Sequence, residues 1–239
     1  MGAVAGVLLF GGYATQTVGL QYTSPSTSAF LTGLYVMITP LVEAVVRHAW
    51  PPRRVVVSAA IATVGLFLLT GADLTMGRGE VLTLACAVLF AVWIVYQGAY
   101  AGRLHPVPFT TTQMVTLVLV GLPFMARQGV GTLSGFAWFA IVFTGIACSA
   151  VALSLQLWGQ RRIPPTRAAL ILLLEPVFAG LVSFVDGERL GAAELTGALI
   201  ILVAIALAEI GPRRGRSGAT LTRAARVANT AAHESGDAG

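Results

Sequence analysis

SAFLTGLYVMITPLVEAVV (residues 28–46) and RAALILLLEPVFAGLVSFV (167–185) decide how this chain folds. Each is apolar over a length that, as a helix rising ~1.5 Å per residue, crosses a hydrocarbon core of about 30 Å. Each carries a proline in mid-span, Pro40 and Pro176. Proline removes one backbone hydrogen bond and crowds the preceding turn, so both helices are expected to kink there. Each is followed by a short polar loop and a smooth apolar run, VSAAIATVGLFLLTG (57–71) and LTGALIILVAIALAEI (195–210).

Outward from this pair, the rest of the sequence reads the same way. Of 239 residues, 56% are hydrophobic and only 10% charged. A soluble domain typically carries about 25% charged residues to solvate its surface. The apolar residues come in long blocks without strand alternation, which excludes a transmembrane β-barrel. Backbone groups in lipid must pair within their own segment, so the blocks are helices. The fold class is all-α: a polytopic transmembrane bundle of about eight spans. These lie near 2–20, 25–46, 54–72, 80–101, 109–126, 136–158, 164–185 and 191–210.

All 15 basic residues are arginine, placed between apolar blocks or in the tail. With the N-terminus in the cytoplasm, Arg47, Arg53, Arg54, Arg103, Arg161, Arg162, Arg167 and the tail arginines face inward. Only Arg78, Arg127 and Arg189 face outward. The positive-inside rule therefore predicts that both termini are cytoplasmic. The net charge of +5 reports this orientation and does not point to nucleic acid. The three histidines lie outside the apolar blocks, and Cys86 and Cys148 inside them, so no metal site or cofactor is expected. Residues 211–239, rich in Arg, Ala, Thr, Ser and Gly, read as a disordered cytoplasmic tail.

The two proline spans are the second and seventh of eight, so they run in opposite directions. Matched halves of opposite topology are the layout of many secondary transporters, whose site lies near the midplane at interrupted helices. At this point a resemblance becomes specific. GLQYTSPSTSAFLTGLYVMITPL (19–41) and AALILLLEPVFAGLVSFVDGERLGAAELTGALIILVAIAL (168–207) resemble the EamA-type domain of the drug/metabolite transporter superfamily. The resemblance implies two inverted five-helix repeats, ten helices in all. The chain corresponds to helices three to ten, leaving the first two without counterpart; a fragment or a misplaced start codon is the expectation. It follows that 1–72 is a partial first repeat of three helices and 73–210 a second repeat of five. Pro40 lies four residues further from its Tyr-Thr-Ser loop than the second repeat's spacing gives.

Polar side chains are expensive in lipid and are expected to face the bundle interior. Ser28, Thr32, Tyr35, Thr39 and Glu43 recur at steps of three and four on one helical face. That stripe is either a water-lined pathway or a helix–helix hydrogen-bond seam. Shorter polar faces hold Tyr13 and Gln16; Trp93, Tyr96 and Gln97; Gln113; and Ser149 with Gln156. These residues together form the expected substrate pathway. Glu175, directly before Pro176, is a candidate proton carrier or cation partner; the competing reading is a protonated carboxyl bonded to a neighbouring helix.

The function expected is secondary transport, with export of small metabolites, amino acids or drugs by alternating access. The partners are a small-molecule substrate and the lipid bilayer of a bacterial inner membrane, and the reading also admits a homodimer. An intramembrane enzyme is not expected, because Ser149 and Cys148 have no intramembrane histidine. The alternative is a truncated, non-transporting membrane subunit that needs a partner.

Overall fold

The computed structural model describes residues 1–72, 76–103, 105–128, 134–185 and 191–210, the side chains of 183–185 excepted. Residues 187–189 (Gly-Glu-Arg), which the resemblance to the EamA-type domain includes, and residues 211–239 lie outside the described residues. Met1–Glu209 forms one compact unit. Within it the helices are α1 (Gly2–Gly19), α2 (Pro25–Gly33), α3 (Tyr35–Arg47), α4 (Arg53–Thr70), α5 (Arg78–Tyr100) and α6 (Pro106–Gln128). They continue as α7 (Gly135–Phe143), α8 (Ala152–Gln160), α9 (Pro165–Leu172), α10 (Leu174–Val185) and α11 (Ala192–Glu209). No strand occurs among the described residues. The chain is an all-helical polytopic bundle.

Helix starts follow local chemistry. Ser24 precedes Pro25 at the first helical position of α2, and its hydroxyl accepts the Thr27 N–H at 3.1 Å. Ser134 caps α7 in the same way through the Ala137 N–H. At α5 the Glu80 carboxylate reaches back to the Gly77 N–H at 2.8 Å.

Seven helical stretches among the described residues are long and apolar enough to cross a membrane. They match the second to eighth sequence spans within a few residues at each end. The first, α1, is as long as α4 but does not reach that hydropathy; Tyr13, Thr15, Gln16 and Thr17 dilute its apolar run.

Four of the seven spans are not continuous α-helix; the span 78–103 closes with a 3-10 turn, Ala101–Arg103, and three others change within their length. The second is interrupted at Leu34, between α2 and α3, and the seventh at Leu173, between α9 and α10. The interruption at Leu34 lies six residues before Pro40, which sits buried inside α3. At Leu173 the break lies three residues before Pro176. The spans therefore break at similar depths from their N-termini, although their prolines do not match in position. The sixth span carries a π-helical segment, Thr144–Val151, which joins α7 to α8; nothing in the sequence reading anticipates it.

The helix pairing is tightest between α4 and α11, while α1 packs on α5 and α6, and α3 on α5 and α9. Close approach at the first pair requires glycine. A Cβ on Gly197 would stand 2.4 Å from the Leu69 backbone nitrogen and 2.5 Å from the Gly65 carbonyl oxygen. Small residues of this kind let helix backbones touch in lipid. Leu9, Val36, Leu66, Ile94, Leu170 and Ile201 fill the interior. The face of α7 is the opposite case: none of its residues is buried, and Phe136, Trp138 and Phe139 stand exposed.

Candidate substrate pathway

The polar side chains of the spans gather in two places. The first lies at the breaks. Tyr35 is the first residue of α3, and Glu175 is the second residue of α10. Each interruption thus sets a hydrogen-bonding side chain at the start of the following half-helix. Tyr13 of α1 and Tyr35 both lie within electrostatic reach of the Glu175 carboxyl. Beside them Gln16 Nε2 donates to Thr32 Oγ1 of α2 at 3.0 Å. The buried Cys86 sulfur of α5 sits against the hydroxyls of Thr15 and Thr32. Tyr13 stands edge-on to Phe90, ring centroids 5.7 Å apart.

The sequence reading expects a buried carboxyl at Glu175; protein surrounds much of that carboxyl, while part of the residue keeps accessible surface. Tyr13 and Glu175 both keep accessible surface, whereas Tyr35 is buried. α10 rests on α4, α9 and α11.

The second place lies between α5 and α6. Trp93 Nε1 donates to Gln113 Oε1 at 2.9 Å, and Gln97 Nε2 donates to the same oxygen at 3.1 Å. All three side chains are buried.

Glu43 belongs to neither cluster. Its Oε2 accepts the Thr166 N–H at 2.9 Å and the Thr166 hydroxyl, while its Oε1 meets Arg47 Nε at 3.1 Å. Thr166 is in the first turn of α9, whose N-cap is Pro164, a residue with no side chain able to cap. A carboxylate from α3 supplies the missing acceptor across 123 residues of sequence. Thr39 likewise spends its hydroxyl locally, on the Tyr35 carbonyl at 2.7 Å. The stripe of the second span therefore faces the interior throughout, but it splits by depth. Thr32 and Tyr35 join the cluster at the breaks, and Glu43 forms an interhelical joint.

Of the remaining expected residues, Tyr96 bonds the Met1 carbonyl at 3.2 Å on the exposed side of α5. Ser149 lies in the π segment and donates to the Thr144 carbonyl at 3.0 Å, and the adjacent Cys148 lies within electrostatic reach of Tyr13. Gln156, on α8, has a buried Nε2 with no partner. Pro40 is buried and Pro176 half-buried. Sequence reasoning missed Cys86 with Thr15, read as a plain core thiol, and Thr166 and Gln160. The only local signal for Thr166 is the proline pair before it. A surface recess lined by Met76, Gly77, Arg78, Val81 and Leu82 shares no residue with either cluster.

Residues 77–209, which contain α5 to α11, match the model of the EamA-like transporter family. The chain belongs to the EamA-like transporter family. It is thus a multi-pass membrane transporter of the drug/metabolite type. A relative in Archaeoglobus fulgidus, described as an uncharacterized transporter, is 31% identical over 211 residues, covering 86% of this chain and 67% of the relative. The uncharacterized transporter YyaM of Bacillus subtilis is 24% identical over 217 residues, covering 84% of this chain and 70% of its own. A crystal structure superposes with a TM-score of 0.77 over 89% of this chain and 76% of the other, at 22% identity. That last likeness concerns the fold. The EamA match includes the whole α5–α6 cluster and Glu175, whereas Tyr13, Gln16, Thr32 and Tyr35 lie before it.

Proposed function

We propose that this EamA-family chain is a secondary transporter that moves a small solute by alternating access, with both termini in the cytoplasm of a bacterial cell and export as its direction. The observation that carries the reading is the pair of interruptions at Leu34 and Leu173. Each is followed within two residues by a polar side chain, and the two side chains, Tyr35 and Glu175, lie in electrostatic reach of one another. Half-helices that meet at polar breaks are the usual binding architecture of secondary carriers. The two broken spans belong to opposed repeats, 1–72 and 73–210, which rock about this cluster. Glu175 carries the proton or pairs with the solute's cationic group.

Flux in proteoliposomes tests this. Purified chain, an imposed proton gradient and radiolabelled neutral amino acids are expected to give uptake well above protein-free vesicles. Glu175→Gln is expected to cut that uptake at least tenfold while inserting equally well. Uptake at the unaltered rate in that variant removes Glu175 from the mechanism. The alternative, a membrane subunit completed by a partner, draws on the uncovered face of α7; it predicts no flux from the purified chain alone.

A further inference from the structure

Three glutamines near the second cluster each keep one amide atom without a partner although buried. The atoms are Gln97 Oε1, Gln113 Nε2 and Gln160 Oε1. Their residues are 1%, 0% and 4% exposed. A buried amide atom left unpaired costs about 1–3 kcal/mol, and these three, two acceptors and one donor, come from α5, α6 and α8.

The polarity of these atoms is fixed by their neighbours. The indole N–H of Trp93 can only donate, so Gln113 must turn its oxygen toward it. Gln97 donates to that same oxygen, so it must present its nitrogen there. Its own oxygen is left free, and so is the Gln113 nitrogen. Gln160 comes from α8 and donates Nε2 to the Ile94 carbonyl at 3.2 Å, one turn along α5 from Gln97. A carbonyl can only accept, so the Gln160 oxygen is also left free. No charged side chain takes part in these bonds.

From this geometry we infer that the Trp93–Gln97–Gln113 cluster, extended by Gln160, binds an uncharged solute group that carries a donor N–H beside an acceptor C=O, namely a carboxamide, lactam or urea. The free Gln113 N–H reads the solute's carbonyl, and the free oxygens of Gln97 and Gln160 read its N–H. Trp93 is a positioning residue: it holds the Gln113 amide in the orientation that makes the site selective. The inference names the substrate class of the transporter proposed above and rests on that reading only for the step from binding to flux.

Calorimetric titration of the purified full chain in lipid nanodiscs tests it, with benzamide, methyl benzoate and benzoate as probes. Benzamide is expected to bind at least tenfold more tightly than either oxygen analogue. Gln113→Leu is expected to erase that preference. Trp93→Phe, which frees the Gln113 amide to turn over, is expected to reduce the preference while the melting temperature stays close to the parent's, so it carries the test should Gln113→Leu fail to fold. Equal affinity for the three probes, or an intact preference in Trp93→Phe, overturns the site. Selective benzamide binding without benzamide flux in proteoliposomes leaves the site standing and sinks the transport reading. Amino-acid flux without benzamide selectivity does the reverse.

Discussion

Glu43 and Glu175 come from the two broken spans and end in opposite surroundings. Glu43 is buried, with three donors on its carboxylate; Glu175 keeps accessible surface within reach of Tyr13 and Tyr35. Removing Glu43 strands the Thr166 N–H at the start of α9, and an orphaned buried donor costs about 1–3 kcal/mol. Glu43→Ala is therefore expected to lower the melting temperature of the purified chain distinctly, followed by tryptophan emission. Thr39→Ala, which loses only a bond within its own helix, is expected to shift it far less. Equal melting in both variants contradicts the joint between α3 and α9. At this scale the sequence was half legible. The step pattern of Ser28, Thr32, Tyr35, Thr39 and Glu43 does face inward. Which of them meets a solute and which ties helices together depends on what lies opposite, and a single strand of sequence does not contain that.

The helices themselves were readable almost to their ends, because an apolar block that must cross lipid has one conformation open to it. Their interruptions were less so. The prolines pointed to the right spans but not to the right residues, since Leu34 breaks the helix a turn and a half before Pro40. The two breaks fall at similar depths in their spans although the prolines do not. The π segment at Thr144–Val151 leaves no mark in residue type. The α4–α11 contact supplies a prediction that belongs to elements. Gly197→Ala places a methyl against fixed backbone of α4, where nothing flexible can yield. Overpacking of that kind costs typically 1–3 kcal/mol. Gly159→Ala meets open space and is expected to be neutral within about 0.5 kcal/mol. Denaturation of both variants side by side, with Gly197→Ala no less stable than Gly159→Ala, would refute the close backbone approach.

For the whole molecule, composition alone gave the class, and the arginine distribution is the basis of the proposed orientation. The central claim is that Thr32 and Gln16, held together beside the Leu34 break, line a chamber that opens to each side of the membrane in turn. The most direct measurement places a single cysteine at position 32 in a Cys86→Ala, Cys148→Ala background. A membrane-impermeant maleimide is then applied to right-side-out and to inside-out vesicles. Alternating access predicts labelling from both faces, slowed on both when a transported solute is present. Labelling from neither face, or from one face only, contradicts the account.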